Sequence, residues 1–592
     1  MKILAKHRYF IFYAALFVAA FAYLQICCSW HFFFIEQNQL FQNDWGYICE
    51  RFMQPGGVAL VLSEWLVQFF FYPYAGAAIV ALVLSGIGAL SGIIFCKLLS
   101  AKYALGFSLF PPIALLLVQL DFNYLLWGTM SFLFMSASFC AVVWLLRDVN
   151  VRMAAHALSL IIIFLVAGQT FVLYALAAVA YELFQSGRSR YLSGLLVLLA
   201  LSVGFFSVYC GFSGEWRLTF LPDGYYHAGL RPKAVIYYSW LALVLGLVFG
   251  GLLSRRREVG RRRMQVETAL VFLLSAVFFI GGIRVCKDER SDRVKELDYY
   301  CRTEQWGEIL RCNVGRLNNY LFMNYVNLAL VQKGCLGDSV FAYDQHGAQG
   351  LVSAWDKTFA VSMLHSDIYF AMNLISAAQE MAFEANVSAL GGGNPRIMKR
   401  LVQTNLIFGA YAVAEKYISV LERTVGYRMW AQSHRRFLYS DAAVEADSLL
   451  GVKRRALGLR DALAFTEGFD AELLSAAVET DAGRVSLECA GVWYLLQKDV
   501  VRFRGFVERY YGHPGQARLP VAFQEAVILL EEKEPGYWAR FNVSDAVVGR
   551  FVEFKRHVVA ANRSGNVNAL PGLLQSAFGG SYWYYFLLKN VP

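Results

Sequence analysis

Short basic clusters fall between the apolar stretches in the first half of this chain, and their placement fixes a membrane topology. They are Lys2/Lys6/Arg8, Lys97/Lys102, Arg147/Arg152, Arg188/Arg190 and the run Arg255–Arg257 with Arg261–Arg263. Placed on the cytoplasmic side, these breaks hold 15 Lys/Arg against four acids (Asp148, Glu182, Glu258 and Glu267), a net +11. The whole chain carries +10, so everything else sums to −1. Lys and Arg gathered on one side are the positive-inside bias of polytopic membrane proteins. The basic balance is therefore a topology signal and not the footprint of a nucleic-acid binder, and no nucleic-acid partner is expected.

Candidate spans are 9–27, 74–96, 103–120, 124–146, 154–184, 191–211, 234–253 and 266–284. Most reach the ~20 apolar residues that a ~30 Å hydrocarbon core demands. The stretch 154–184 is the exception. As one straight helix it would run about 46 Å, and as two each half would be only about 24 Å. One long tilted helix is the competing reading. A single crossing, however, would carry Arg188/Arg190 and the Arg255–Arg263 run to the outside, against the bias of every earlier break. Charge thus favours two short helices turning at Gly168-Gln169-Thr170. Backbone broken in this way is tolerated in lipid only where protein or a wet cavity surrounds it. The expectation is about nine spans with one broken pair and the N-terminus inside. Ala20-Phe21-Ala22 matches a signal-cleavage pattern, but apolar residues run on to Cys27, so retention as a first span is expected. Leu24-Gln25-Ile26 is a poor lipidation box.

From Cys286 onward, long apolar runs give way to helical periodicity. NLIFGAYAVAEKYISVLERT places Gly409, Tyr411, Ala414 and Ile418 where a tetratricopeptide-type repeat takes small, large, small and bulky residues. NYVNLALVQKGCLGDSVFAY, with Asn327, Gly334, Ser339 and Tyr343, repeats the plan loosely, and ECAGVWYLLQKDVVRFRGFVERYY more weakly. Breaks are expected at Gly391-Gly392-Gly393-Asn394-Pro395 and His513-Pro514-Gly515. The fold class is therefore all-α. A polytopic helical membrane domain (1–285, with an outer loop and interfacial helix at 28–73) precedes a soluble, extracytoplasmic, tetratricopeptide-like helical-repeat domain (286–592). Trp306, Trp430 and Trp493 are expected in its core. The terminal SYWYYFLLKN either docks on that domain or rests on the membrane interface. Five cysteines lie in this half without zinc spacing, and Cys301 with Cys312 is one conceivable disulfide.

Polar residues of the membrane half collect on the outer side. The first outer loop, HFFFIEQNQLFQNDWGYICERFMQPGG, carries Glu36, Asp44, Glu50 and Arg51. In the following VALVLSEWLVQFFFYP, Glu64 and Gln68 stand four apart on one helical face, the pattern of an interfacial helix with its polar side in water. A minimal loop holds Asp121, the broken pair brings Gln169 to the same level, and the loop 212–233 adds Arg217, Asp223, Tyr225, Tyr226, His227, Arg231 and Lys233.

A first span, an acid-bearing outer loop, an interfacial helix and further spans before an outer domain resemble the plan of the GT-C class. Its members transfer sugars from polyprenyl-phosphate donors. The resemblance implies Asp44 or Glu50 as catalytic base and Asp121 as an acid that binds acceptor or metal. The donor diphosphate would fall to Arg217, His227, Arg231 and Lys233, whose charge suits phosphate oxygens, with Gln169 nearby. The chain departs from the class in having no D-x-D or paired D-D in the first loop, so no motif supports a divalent metal and the cofactor stays unassigned. Along nearly its whole length it also resembles a family of integral-membrane proteins common in Bacteroidota. The residues that carry this are GYICERFMQPGGVALVLSEWLVQFFFYPYAGA, NLALVQKGCLGD and SYWYYF. That resemblance implies a bacterial inner-membrane address with a periplasmic C-terminal domain, and no activity.

Every candidate has a plain structural counterpart. Asp44 equally keeps a loop solvated, since an ionised carboxylate deep in lipid costs at least ~3 kcal/mol. Asp121 equally caps a short loop. Arg217, Arg231 and Lys233 equally meet anionic lipid headgroups, and Gln169 equally satisfies backbone freed at a helix break. Two functions from different classes follow. The first is a GT-C-like glycosyltransferase moving a lipid-linked sugar to an envelope acceptor. The second is a membrane-anchored scaffold whose helical repeats bind an envelope protein. A scaffold needs one span, whereas nine with a broken pair imply a cavity. A transporter also uses broken helices, but no charge stands in the middle of a span.

Overall fold

The computed structural model describes residues 2–99, 101–185, 187–212, 214–227, 230–254, 261–389, 393–457, 468–477, 483–512, 518–531, 536–563 and 570–590. The run Arg255–Arg257 with Glu258, and the breaks expected at Gly391-Gly392 and His513-Pro514-Gly515, lie outside them. Among the described residues every regular element is helical, and the only β pairing is one isolated bridge between Tyr124 and Tyr226. The chain divides into two compact units, Met1–Asp292 with Arg423–Arg428, and Arg293–Glu422 with Met429–Pro592.

The first unit contains α1 (Lys2–Gln37), α2 (Trp45–Phe52), α3 (Gly57–Val67), α4 (Ala75–Phe95), α5 (Ala101–Phe107), α6 (Phe110–Gln119), α7 (Leu126–Leu145), α8 (Val149–Ala167), α9 (Thr170–Glu182), α10 (Ser189–Tyr209), α11 (Trp216–Phe220), α12 (Val235–Ser254) and α13 (Arg261–Cys286). Among the described residues seven helices are long and apolar enough to cross a membrane: α1 from His7, α4, α7, α8, α10, α12 and α13 from Arg262. The apolar stretch Tyr103–Gln119 is split because Pro111 and Pro112 occupy the first turn of α6. Proline there lacks the N–H and would clash with a preceding helical turn, so a helix restarts instead of running through. α1 runs past the expected end at Cys27, with a kink at Cys28, as far as Gln37.

The stretch 154–184 is two helices. α8 starts where Asp148 Oδ1 accepts from the backbone N–H groups of Asn150 (2.9 Å) and Val151 (3.0 Å), an N-cap. It stops at Gly168, whose φ of 65° and ψ of −135° suit glycine and strain any residue with a Cβ. α9 then folds back along α8. Arg152 near the start of α8 makes a bidentate pair with Glu182 at the end of α9, at 2.6 and 2.9 Å. His156 lies 3.5 Å from the same carboxylate and 2.9 Å from the Tyr174 hydroxyl. Arg152 and Glu182 were expected among solvated cytoplasmic loop charges. Both are buried, because the hairpin brings them face to face and each supplies what the other loses on leaving water.

The second unit packs helices that follow one another in sequence. It includes α14 (Glu289–Arg302), α15 (Trp306–Cys312), α16 (Tyr320–Gln332), α17 (Leu336–Ser339), α18 (Phe359–Ala371), α19 (Ile375–Val387), α20 (Pro395–Phe408) and α21 (Tyr411–Leu421). α20 and α21 form the helix–turn–helix read around Gly409, which takes a φ of 75° at the turn, while Ala414 and Ile418 are buried. The segment after Gly334 differs from its expected plan. α17 is a single turn, and the chain then folds so that the Asn327 and Gln345 amides exchange two hydrogen bonds of 3.1 Å. Three helices are tied by charge: Arg396 of α20 meets Asp298 of α14 (2.6 Å) and Asp367 of α18 (2.7 Å), and Arg400 meets Asp367 (2.9 Å). Cys301 and Cys312 are free thiols. Trp306, Trp430 and Trp493 are half-buried, not core. The terminal aromatic segment docks on its own unit as the helix Tyr582–Leu588. Its Tyr582 N–H donates to Glu525 (2.6 Å), Trp583 Nε1 to the Glu525 carbonyl (2.7 Å) and the Tyr585 hydroxyl to the Leu496 carbonyl (2.6 Å).

The Arg152–Glu182 pair makes a direct prediction. Arg152→Ala leaves a carboxylate buried without its partner and should destabilise the protein by about 3–5 kcal/mol, whereas replacing both residues by Met should cost far less. Thermal unfolding of the purified protein in detergent, read by tryptophan fluorescence, measures both variants. Equal losses for the single and double variants would count against the pair.

Candidate functional site

The site is built on the hairpin turn between α8 and α9. Breaking the helix at Gly168 frees backbone groups, and two distant loops satisfy them. The Tyr225 hydroxyl donates to the Ala167 carbonyl (2.5 Å) and accepts from the Thr170 N–H (3.0 Å). The Gly56 N–H donates to the carbonyls of Phe164 (3.1 Å) and Leu165 (2.9 Å). Trp127 joins the two loops, since its indole N–H donates to the Gly56 carbonyl (3.2 Å) and its ring meets Tyr225 edge-on at 5.0 Å. Gln169 lies half-buried against Gly224, and its amide oxygen finds no partner among the described residues.

Beside this turn the 119–125 and 221–227 segments pair through Leu125 N to Tyr225 O (2.9 Å) and His227 N to Asn123 O (2.8 Å). That pairing brings together Asp121 and Lys233, two of the residues expected at the site. Asp121 is buried and accepts from the Tyr226 hydroxyl (2.6 Å) and from the Asn123 N–H and amide (3.0 and 3.1 Å). Lys233 Nζ stands 3.2 Å from it, with half of its own side chain in the open (52 %). Arg217 repeats the scheme. Its exposed side chain pairs at 3.0 Å with buried Asp223, which also accepts from the Tyr237 hydroxyl at 2.6 Å. Arg231 is exposed, and His227 enters through its backbone N–H.

The first-loop acids are arranged differently. Asp44 is the N-cap of α2, accepting from the Tyr47 N–H at 3.3 Å, and it pairs with Arg423 at 3.5 Å while keeping 38 % of its side chain exposed. Glu50 is exposed near the far end of α2. Glu64 and Gln68 depart from the expected wet face: both are buried. Their side of α3 faces protein, with Glu64 accepting from the Tyr47 hydroxyl (2.9 Å) and lying 3.9 Å from Arg51, and Gln68 Oε1 accepting from the Val425 N–H (3.3 Å). Glu36 is buried too and accepts from the Tyr427 hydroxyl at 3.2 Å. The only sequence signal for this cluster was the four-residue spacing of Glu64 and Gln68, which identifies a shared face but not its partner. Burial pushes the Glu64 carboxyl up to about 7, with Arg51 and the Tyr47 hydroxyl pulling against it. Among the described residues no group of three or more His, Cys, Asp or Glu could hold a metal ion.

Seven membrane-length helices among the described residues, with a charged cluster of loops hung on a broken helical hairpin, mark the chain as a polytopic α-helical membrane protein by the length and composition of its helices. The chain belongs to a family of unknown function (DUF6057), whose pattern matches residues 5–589. Comparison with curated proteins and with solved structures returns no match.

Glu64 supplies a pH test. With its folded value near 7 and an ordinary value of 4.5, the folded state holds more protons between those limits. Its contribution is full below about 4.5 and is lost as pH rises through about 7, a change of up to roughly 3 kcal/mol. Glu64→Gln should flatten stability across that window, as read by hydrogen exchange of α2 and α3 from pH 4.5 to 7.5. An unchanged pH profile in the variant would remove Glu64 as the titrating group.

Proposed function

We propose that the protein is a GT-C-like glycosyltransferase that moves a sugar from a polyprenyl-phosphate donor to an envelope acceptor on the outer face of a bacterial inner membrane. The observation that carries this reading is the pair of exposed cations, Lys233 and Arg217, each held from beneath by a buried carboxylate. Held so, they keep N–H donors in the open for an incoming diphosphate, and exposed Arg231 adds a positive charge that neither carboxylate cancels. Asp44, the partly exposed carboxylate of the first loop, is the base in this scheme, and Glu64 positions it by holding Tyr47 and Arg51 of α2 against α3. The acceptor hydroxyl loses its proton to Asp44 as its oxygen bonds to the anomeric carbon. The bond from that carbon to phosphate oxygen breaks, and the electron pair leaves with the phosphate beside the two cations. Metal chemistry is no part of the proposal.

The topology belongs to the same reading. Nine crossings result if α5 with α6, and α9, complete the seven longer helices. The antiparallel hairpin supports this by keeping Arg147 and Arg190 on one side, the side of the basic clusters. The N-terminus is then cytoplasmic and the second unit periplasmic. Alkaline phosphatase fused after Lys287 should be active and fused after Arg190 inactive. The opposite result at either point would break the nine-span arrangement.

The activity is tested by comparing envelope glycans in a deletion strain carrying wild-type, Asp44→Asn or Lys233→Gln protein at matched membrane levels. Wild type should rescue a glycan defect, and each variant should lose most of that rescue. Unaltered glycans, or full rescue by both variants, would instead favour the membrane-anchored scaffold. That second reading draws on the sequence-ordered helix pairs of the second unit, such as α20 with α21.

A further inference from the structure

The second unit contains a cavity of about 520 Å³ walled by the 315–318 loop, the 341–346 segment and the C-terminal helices. That volume falls within the ~300–1,000 Å³ of small-molecule sites. Its polar groups divide into those already engaged and those still free. Asp344 is engaged: it accepts from the Leu317 N–H (3.0 Å) and pairs with His346 (2.9 Å) and Lys589 (2.5 Å). Arg316 is free. Its exposed guanidinium lines the cavity with no carboxylate partner among the described residues. The side-chain amides of Asn318 and Gln575 and the Tyr584 hydroxyl also line it without partners among the described residues.

Charge and shape then select a ligand class. Lys589 and Asp344 cancel, so Arg316 leaves the wall one positive charge in excess. Guanidinium forks match carboxylate and phosphate oxygens. The amides and the hydroxyl suit a ligand with several hydroxyl groups, such as a sugar. We propose that this cavity binds a small sugar carrying an oxyanion, either phosphate or carboxylate, with Arg316 on the oxyanion. The proposal rests on the second unit alone and does not depend on the activity proposed for the first.

The test uses the full-length protein in nanodiscs, titrated with glucose 6-phosphate, glucuronate, glucose and inorganic phosphate by calorimetry and saturation-transfer NMR. At least one of the two charged sugars should bind saturably, and which one distinguishes phosphate from carboxylate. Arg316→Gln, at an exposed position, should weaken that binding roughly tenfold or more. Gly580→Leu, which adds bulk to the cavity wall beside Ala342, should abolish it. Absence of saturable binding by both charged sugars would overturn the proposal, as would wild-type affinity in either variant. Glucose or inorganic phosphate binding as tightly as the charged sugar would overturn the assigned class.

Discussion

A helix that breaks inside a membrane unit must have its freed backbone groups satisfied by protein, because lipid offers no hydrogen bonds. The hairpin turn at Gly168 meets this demand with one side chain and one backbone group from far along the chain. Tyr225 bridges the two broken ends through a single hydroxyl that both donates and accepts, and Gly56 takes up carbonyls left at the end of α8. Neither partner is local, so satisfying the break also fixes where two loops lie. The segment from Gly56 leads back to α2 and Asp44, while the segment at Tyr225 leads on to Tyr226 and Lys233. Closing one turn thus helps to fix where both of these loops lie.

Around this turn the buried acids act as anchors. A carboxylate removed from water is costly unless its oxygens find donors, and here neighbouring hydroxyl and amide groups supply them. Asp121 takes three hydrogen bonds from Asn123 and Tyr226, and Asp223 takes one from Tyr237. Their outer partners, Lys233 and Arg217, stay largely in the open. A long cationic side chain normally forfeits about 1.5–2 kcal/mol of rotamer freedom when a ligand fixes it. Pairing with a rooted acid settles part of that loss during folding. Arg152 and Glu182 use the same chemistry for a different end, with both partners buried and the pair serving as a clasp for the hairpin.

How much of this was legible follows from range. The hairpin turn could be read because the positive-inside bias works on whole segments and needs no knowledge of contacts. α20 with α21 could be read because a turn glycine and a local helix pattern suffice. Glu64 and Gln68 were placed on one face correctly, but what lies opposite that face is set by α2 and by residues some 360 positions on, so a buried face passed for a wet one. Arg152 and Glu182 stand 30 residues apart and looked like loop charges until the hairpin joined them. α17 was misjudged because the Asn327–Gln345 amide pair outweighs the helical pattern of its segment. The Asp121–Lys233 association was the one long-range pairing whose two members the chemistry of the expected site had already named.

The two anchored cations are not equivalent, and the difference bears on the proposed chemistry. A diphosphate approaching Lys233 competes with Asp121 for the ammonium. If Lys233 turns to the phosphate, Asp121 still holds three donors and remains a satisfied buried charge. Asp223 has no such reserve among the described residues: without Arg217 it retains only the Tyr237 hydroxyl. Releasing Arg217 therefore costs more than releasing Lys233. On the proposed reading Lys233 is the cation that follows the departing phosphate, and Arg217 is the fixed charge that receives it.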